Sequence, residues 1–453
     1  MDIVLAVHHF PPRYIAGAEL YTYRLARGLI RLGHRVEVVC VESVTEGTLE
    51  PRCVSGEYEG IPVHRLFFNL ALAPDPARWE FWNPQLGAWF RQFLEERQPD
   101  LVHFQAGYLL TGSVLEATQA LRIPAILTLH DYWFLCPRIH LQRPDGSLCG
   151  VPDDPGECVW CRLTEKRRYR LPDRATGGAA GRLARGLLFR LPLARLTGWS
   201  AKVEAIRERR ERLGRALQDV NVLIAPSRFL AQMFVQREGL PPDRIRYLRY
   251  GLDHGAIQRP DPPEGDQQSG LRVGYLGQIA PHKGVHVLVE AFRSLGALDG
   301  VRELRIYGDM GRFPRYAEQL RRLAQGDPRI RFEGAVENHR VPEVLSGLDV
   351  LVVPSIWYEN APLTILEAHA AGVPVLASDL GGMAEMVRHG VDGLLFQVGD
   401  ARDLAARLRE LVENPDLLCR LRAGIGPVRT LEQEREELLE IYRTVTQSAE
   451  VWR

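Results

Sequence analysis

Two glutamates, Glu359 and Glu367, stand eight residues apart, with Pro362 between them. Proline favours the first position of a helix, so we expect a helix to begin at Pro362. Glu359 then lies in the loop before that helix, and Glu367 lies more than one turn inside it. The free N–H groups at the helix start, near residues 363–364, would lie between the two carboxylates and could bind a phosphate. The pair indicates a ligand with hydroxyls at both ends and phosphate in the middle, which is the shape of a nucleotide sugar. Each glutamate taken alone also has an ordinary structural interpretation. Glu359 would be a helix-capping acid, and Glu367 would be a solvated charge.

Two glycine-containing loops flank this segment. The loop GQIAPHKG (277–284) follows an apolar stretch and places Lys283 just before a helix, where its ammonium could help to hold a diphosphate. It is not a P-loop, because GxxxxGK[ST] is absent. In DLGGMAE (379–385), Gly381 and Gly382 occupy a second strand-to-helix junction, where glycine lets backbone approach a ligand closely. Each loop also has a structural alternative. Lys283 would simply be exposed to solvent, and Gly381 and Gly382 would simply form a tight turn.

The N-terminal half offers fewer chemical groups. The strand-to-helix loop FPPRYIAGAELY (10–21) contains Gly17 and Glu19, and His130 ends the apolar stretch of LTLHDYW. A histidine at the end of a strand can hydrogen-bond a sugar hydroxyl or a leaving-group oxygen. A lone histidine in this position is more often structural.

The elements that position these residues follow an alternating pattern. Continuous apolar runs alternate with helical stretches in both halves of the chain, as in parallel sheets whose strands are buried on both faces. The predicted strands are 2–7, 35–41, 63–67, 100–104, 124–129 and 221–226, then 271–277, 303–308, 329–334, 349–355 and 373–378. Two successive arrays of this kind predict an α/β protein with two doubly wound domains, and ligands bind such domains at the carboxyl ends of the strands.

The chain of 453 residues is too long for one hydrophobic core, which agrees with two domains. We expect domain boundaries at 1–226, 227–425 and 426–453, the last being a C-terminal helix that packs back on the first domain. The polar stretch DPPEGDQQSG (261–270) reads as a loop. Residues 162–215 interrupt the pattern with sixteen Lys/Arg and five Asp/Glu. They predict a helical insertion that is either a solvated surface or a basic face for anionic lipid or an anionic acceptor.

Composition narrows the class of protein. The formal net charge is zero and 45% of residues are hydrophobic, so the chain as a whole shows no attraction to nucleic acid or membrane. No run of 18 apolar residues predicts a membrane span, and the N-terminus lacks the basic region of a secretion signal. We therefore expect a cytoplasmic protein, with peripheral contact to the inner membrane through residues 162–215.

In this order the motifs resemble the retaining glycosyltransferases of the GT-B fold, a large family of mannosyl-, glucosyl- and galactosyltransferase-like enzymes that use nucleotide sugars. The resemblance covers nearly the whole chain. It rests on the Gly17 loop and on LTLHD, APSRF (225–229), YGLD (250–253), GQIAPHKG, YENAPLTILEA and GVPVLASDLGGMAEMV. It implies two Rossmann-like domains facing a central cleft, and transfer of a hexose from a UDP-, GDP- or ADP-sugar to a glycan or lipid-linked acceptor in surface-polysaccharide synthesis.

The resemblance also implies roles for individual residues. Glu367 would hold the ribose hydroxyls, Glu359 the sugar hydroxyls and Lys283 the diphosphate, and His130 would contact the donor sugar. Further donor contacts would come from residues near the diphosphate: Gly17, Gly277, Gln278, Ala361, Pro362, Leu363, Gly381 and Gly382.

One position departs from the family pattern. Many relatives carry an arginine, a second diphosphate cation, where this chain has Gln278. Lys283 would then carry more of the charge, or another cation such as Arg249 or Arg312 would enter. The leaving diphosphate needs preorganised positive groups but no divalent metal, and no metal-binding Asp-x-Asp stands out at a strand end.

A glycoside hydrolase with two carboxylates beside one bond is the competing interpretation, and the placement of Glu367 toward the nucleotide argues against it.

Four cysteines follow the His130 strand with the spacing C-x12-C-x8-C-x2-C: Cys136, Cys149, Cys158 and Cys161. Such a set can form a tetrahedral thiolate site, for which zinc is the favoured occupant and an iron–sulfur cluster the second choice. Unliganded buried cysteines are the structural alternative. Cysteines followed by an arginine-rich helix also occur in nucleic-acid-binding or interaction modules, which zero net charge and the two βα arrays disfavour. A dehydrogenase is disfavoured by the absence of GxGxxG.

Overall fold

The structure, a computed structural model, describes residues 1–15, 17–188, 198–253, 270–296 and 300–450. These residues form two compact units. The first contains Met1–Pro226, Leu230–Leu248 and Arg435–Arg453, and the second contains Ser227–Phe229 and Arg249–Glu434. Residues 261–269 of the predicted loop, and residues 189–197 of the predicted insertion, lie outside the described residues.

The first unit is built on a sheet of mostly parallel strands. Within the described residues the order is β3–β4–β2–β1–β5–β6–β7–β8, and β3 pairs antiparallel with β4. The strands are β1 (Asp2–Val7), β2 (Arg35–Ser43), β3 (Arg52–Tyr58), β4 (Ile61–Phe67), β5 (Leu101–Phe104), β6 (Ala125–Thr128), β7 (Val222–Ala225) and β8 (Ile245–Tyr247). The central strands β5 and β6 are buried along their whole length, as their unbroken apolar sequences require.

The second unit has an all-parallel sheet. In its described part the order is β11–β10–β9–β12–β13–β14. The strands are β9 (Leu271–Leu276), β10 (Val301–Tyr307), β11 (Ile330–Gly334), β12 (Val350–Val353), β13 (Val375–Ser378) and β14 (Gly393–Phe396). β9 and β12 are neighbours although they are far apart in sequence, so the loops after them emerge side by side at the carboxyl edge of the sheet.

Helices connect the strands. The α-helices of the first unit are Gly17–Arg31, Pro76–Trp79, Pro84–Arg97, Thr111–Ala120, Pro155–Leu163, Arg167–Ala175, Ala179–Leu183, Trp199–Asp219 and Arg228–Glu238 (which begins in residues of the second unit). Those of the second unit are Val285–Ser294, Pro314–Ala324, Val341–Ser346, Leu363–Ala370, Gly381–Met386, Ala401–Glu413 and Pro415–Gly424. Helix Leu431–Glu450 begins in the second unit and continues in the first.

The architecture agrees with the predicted α/β fold of two doubly wound domains, but three strands were not predicted. β3 has only exposed and half-buried residues, because it is an edge strand that lacks the apolar run of a central one. β8 and β14 are three and four residues long. Because β8 pairs with β7, the first unit takes in Leu230–Leu248, beyond the boundary expected at residue 226.

The end of the chain joins the first unit through a buried contact. The hydroxyl of Tyr442 lies 2.6 Å from His103 Nδ1, and both side chains are fully buried. Thr128 Oγ1 lies 2.7 Å from the other ring nitrogen of His103. Burial lowers the pKa of His103 to about 3, so the imidazole is neutral and donates through only one nitrogen.

Candidate functional site

Glu359 and Lys283 form an ion pair in the second unit. Lys283 Nζ lies 2.6 Å from Glu359 Oε1, which also accepts hydrogen bonds from Ser355 Oγ at 2.7 Å and Trp357 Nε1 at 2.8 Å. Three donors therefore converge on one carboxylate oxygen, while no donor among the described residues reaches Oε2. Glu359 is only 7% exposed, so its charge depends on these partners.

The three donors decide the protonation state of Glu359. Burial opposes its negative charge, but the Lys283 ammonium and the three hydrogen bonds outweigh burial and hold the pKa of Glu359 below its ordinary value. The Lys283 ammonium also lies 5.2 Å from the ring centroid of Trp357. The carboxylate is thus ionised and fixed, which suits it to accept hydrogen bonds from hydroxyls and not to transfer a proton.

Two strand-end loops bring this pair together. The loop after β9 reaches Lys283, and the loop after β12 reaches Glu359. Ile356 N–H donates to the His282 carbonyl at 2.9 Å and ties the two loops together. Gly284 has a φ of 68°, and a β-carbon there would lie 1.8 Å from the Pro354 oxygen, so only glycine permits this approach.

The helix after Glu359 begins one residue later than predicted. Pro362 has an extended ψ of 117° and precedes the first helical residue, Leu363, so it is the N-cap and not the first helical position. Glu367 lies on the second turn of this helix and is half-buried. The first N–H groups of Leu363–Ala370 have no intrahelical acceptor, as at any helix start. They are the candidate phosphate donors.

The Gly-Gly turn packs against the Glu359 loop. Gly382 N–H donates to the main-chain oxygen of Glu359 at 2.9 Å, and a β-carbon on Gly382 would lie 1.6 Å from the Asn360 oxygen. Gly381 has a φ of 55° and faces the same loop. These glycines therefore let the turn pack closely on the chain's own backbone, which fixes the position of Glu359.

Gln278 contacts Arg312, one of the two arginines considered as a substitute cation. In the amide orientation that satisfies both side chains, Gln278 Oε1 accepts from Arg312 Nη1 at 2.9 Å and from Nε at 3.1 Å. Tyr275 Oη donates to the Gln278 carbonyl at 2.7 Å. Arg249, the other candidate, has no contact with Gln278 among the described residues.

His130 lies in the first unit at the end of β6. Its Nε2 lies 2.9 Å from Gln105 Oε1, and its ring packs edge-on against Tyr21 with centroids 5.0 Å apart. Burial, then the neighbouring charge of His8, lowers the pKa of His130 to about 3. The imidazole is therefore neutral. Because Gln105 offers an oxygen, Nε2 carries the proton in this hydrogen-bond assignment.

Sequence reasoning missed the histidines after β1. His8 Nε2 lies 3.3 Å from Glu19 Oε1, and Glu19 is 5% exposed. His9 stacks on Tyr14 with centroids 3.8 Å apart. The signal was present, since HH directly follows the first apolar strand. Gly17 begins the adjacent helix, and a β-carbon there would meet no atom within 4 Å.

The four cysteines of the loop after His130 come together but do not form the predicted metal site. All four are free, and they line one cavity of about 20 Å³. No group of three or more His, Cys, Asp or Glu side chains in the described part of the chain could hold a metal ion. The structure therefore does not support the predicted zinc site.

Two arginines hold the cysteine loop instead. Arg210 donates to the carbonyls of Asp153 at 2.6 Å and Pro152 at 2.5 Å, and its Nη2 lies 3.3 Å from Cys158 Sγ. Arg209 donates to the carbonyls of Trp133 and Phe134. These bonds anchor the loop to helix Trp199–Asp219.

The described part of the basic insertion presents a charged face. Helix Arg167–Ala175 carries exposed Arg167, Arg168, Arg170 and Arg174, and Leu171 on it is 50% exposed. Over the residues that the structure describes, no helix is both long and apolar enough to cross a bilayer.

Two family models match the chain. Residues 261–424 match glycosyl transferases group 1, and residues 16–149 match the glycosyl transferase 4-like domain. A putative colanic acid biosynthesis glycosyltransferase, WcaL of Salmonella typhimurium, is 32% identical over 38% of this chain and 43% of the relative. A D-inositol 3-phosphate glycosyltransferase of Nocardioides is 29% identical over 58% and 57%. The chain spans about half the length of these curated relatives.

Solved structures share the fold. Anabaena Alr3699/HepE in complex with UDP has a TM-score of 0.66 at 17% identity, covering 98% of this chain and all of that one. Sucrose-phosphate synthase from Thermosynechococcus elongatus has a TM-score of 0.66 at 18% identity, covering 99% of both chains. At these identities the likeness establishes the fold, which is that of GT-B glycosyltransferases.

Proposed function

We propose, from the premise that residues 261–424 form a group 1 glycosyl transferase domain in a GT-B fold, that the protein transfers a hexose from a nucleoside-diphosphate sugar to a glycan or lipid-linked acceptor, with retention of configuration. The observation that carries the proposal is the Lys283–Glu359 pair before helix Leu363–Ala370. It places a cation, an ionised carboxylate and free amides at the carboxyl edge of one sheet.

The site residues take complementary roles in this proposal. Glu359 accepts hydrogen bonds from sugar hydroxyls through its unused Oε2, and Glu367 on the helix holds the ribose hydroxyls. Lys283 and the amides at the helix start bind the diphosphate. The loop residues Gly277 and Gln278, with Ala361, Pro362 and Leu363, form the backbone around it. His130 takes the role of a neutral hydrogen-bonding group in this proposal.

The chemistry depends on the leaving group. The bond between the anomeric carbon and the diphosphate oxygen breaks as the acceptor oxygen attacks from the face that the leaving group vacates, which retains the configuration. The proton of the acceptor hydroxyl passes to the departing diphosphate oxygen. Preorganised cations and amides stabilise the charge that develops on the diphosphate, so no divalent metal is needed. Glu359 is ionised and already accepts three hydrogen bonds, so it acts as a binding group and not as the proton shuttle of a hydrolase.

The acceptor belongs to surface-polysaccharide synthesis in this proposal. The relative named for colanic acid biosynthesis supports this class of product. The exposed arginines of helix Arg167–Ala175 support a cytoplasmic protein that meets anionic lipid, or a lipid-linked acceptor, at the inner membrane face.

A donor screen tests the proposal. We expect one of UDP-, GDP- and ADP-glucose, -galactose or -mannose to raise the melting temperature by mass action. Incubation with that donor and lipid-linked oligosaccharide should yield a product whose anomeric configuration, read by NMR, matches the donor, and excess EDTA should leave the rate unchanged. Absence of any nucleotide-sugar binding, or an inverted product, would contradict the proposal.

A further inference from the structure

The Lys283–Glu359 pair brings no net positive charge to the proposed donor site. The Lys283 ammonium lies 2.6 Å from the Glu359 carboxylate. The charges of this pair cancel, while a nucleoside diphosphate brings at least two negative charges. A second cation is needed for the site to attract its ligand and to stabilise the leaving diphosphate.

Arg312 meets this requirement. Among the described residues no carboxylate lies within 4.0 Å of its guanidinium, and its side chain is exposed. Two of its donors, Nη1 and Nε, bind the Gln278 amide oxygen at 2.9 and 3.1 Å. Gln278 and Lys283 share the loop after β9, so the guanidinium is held beside the donor loop by a neutral partner that leaves its charge uncompensated.

The backbone keeps Arg312 in this place. Arg312 lies in the loop after β10, and β10 pairs with β9 along the sheet. The two loops touch, because a β-carbon on Gly308 would lie 2.1 Å from the Gly277 oxygen. Asp309 Oδ1 accepts from Gly311 N–H at 2.7 Å and shapes the turn that leads to Arg312. Tyr275 Oη donates a hydrogen bond to the Gln278 carbonyl at 2.7 Å.

We propose that Arg312 is the second diphosphate-binding cation of the donor site, and that Gln278 is a positioning residue that orients its guanidinium. An arginine at position 278 would bring its charge from the β9 loop directly. Here the β9 loop contributes a neutral acceptor instead, and the neighbouring β10 loop contributes the charge. The inference rests on the proposed function, because it assumes a nucleoside-diphosphate donor.

Calorimetry with UDP, GDP and ADP tests the proposal on the full chain. Arg312→Ala should weaken the nucleoside diphosphate that binds wild type by roughly 10- to 100-fold, the range of a charge-assisted hydrogen bond. Arg312→Lys should lose less, because the charge remains without the planar fork. Arg315→Ala is the matched control, since it removes an exposed arginine three residues away on helix Pro314–Ala324 and should bind like wild type.

Two further variants separate a binding role from a structural one. Gln278→Ala should weaken the diphosphate several-fold in wild type but have no further effect in the Arg312→Ala background, because its role acts through Arg312. Gln278→Arg combined with Arg312→Ala should restore at least part of the affinity by moving the charge to the β9 loop.

Failure of the proposed function and failure of the Arg312 inference give different results. If wild type binds no nucleoside diphosphate, the proposed function fails and this inference with it. If wild type binds one and both Arg312 variants bind it equally well, the inference alone is wrong. Additive effects of the Gln278 and Arg312 substitutions would exclude the positioning role.

Discussion

Gly382 N–H donates to the main-chain oxygen of Glu359, so the turn after β13 holds the residue proposed to bind the donor sugar. A β-carbon at position 382 would lie 1.6 Å from the Asn360 oxygen. Gly382→Ala must therefore push the two loops apart. We expect a loss of about 1–3 kcal/mol in the free energy of unfolding, as for overpacking, together with weaker donor binding.

Urea unfolding and calorimetry measure these two effects of Gly382→Ala. The matched control is Gly56→Ala on β3, where a β-carbon meets nothing within 4 Å and should change neither quantity. Equal stability of the Gly382 and Gly56 variants would contradict the close packing of the two loops.

Glu359→Ala and Lys283→Ala should each lower kcat/KM for transfer by at least about 100-fold, because each removes a charged group from the transition state. Both side chains lie in loops at the strand ends, so far-UV circular dichroism should remain native. A near-wild-type rate in either variant would remove that residue from the proposed site.

Whether a contact in this site was predictable depends on how far apart its residues stand in the sequence. Glu359, Lys283 and the glycine turn stand in local motifs whose strand–loop–helix context is read directly from apolar runs. Their convergence follows from strand order, since the loops after adjacent parallel strands must emerge together. The contact between Gln278 and Arg312 was not predictable, because it joins two loops 34 residues apart whose turn geometry the sequence does not fix. Pro362 was misplaced by one residue, because proline suits both the N-cap and the first helical position.

For the cysteine loop, the sequence predicted a metal site that the structure does not support. Spacing alone indicated a metal site, and the structure does bring the four cysteines to one small cavity. Cysteine spacing does not reveal which other groups hold a loop. Arg209 and Arg210 stand more than forty residues further along the chain and supply the carbonyl contacts that anchor it. Helix Trp199–Asp219 is rich in arginine, which is typical of a solvated surface. Two of its arginines nevertheless take part in internal packing.

Glu359→Gln should destabilise the protein in a pH-dependent way. The folded-state pKa of Glu359 is lowered, so its contribution to stability is fully present above the ordinary glutamate pKa and is lost as pH falls through the lower, folded value. We expect Glu359→Gln to cost about 1–3 kcal/mol at pH 7, and the difference from wild type to shrink below pH 4.5. Urea unfolding at several pH values measures it, and a difference that grows on acidification would contradict the ionised pair.

His130 should act as a neutral hydrogen-bonding group. Its pKa of about 3 means that the ring stays uncharged between pH 5 and 8, in contrast to an exposed histidine. Nitrogen chemical shifts of the His130 ring should not titrate over this range. His130→Ala should lower kcat by about 10- to 100-fold, consistent with loss of one hydrogen bond, without changing the shape of the pH–rate profile. An inflection near pH 6.5 that disappears only in this variant would show that His130 titrates during turnover.

The exposed arginines of helix Arg167–Ala175 should bind anionic membranes. Each basic side chain near a negatively charged surface contributes about 1 kcal/mol, so replacing Arg167 and Arg168 with glutamate should weaken binding to phosphatidylglycerol vesicles by more than about 10-fold. Wild-type binding should also fall steeply with salt, because the attraction is screened. The control replaces Arg321 and Arg322, exposed on helix Pro314–Ala324, with glutamate. Sedimentation with vesicles compares the two sets, and an equal loss in both would show that only net charge matters and not this helix.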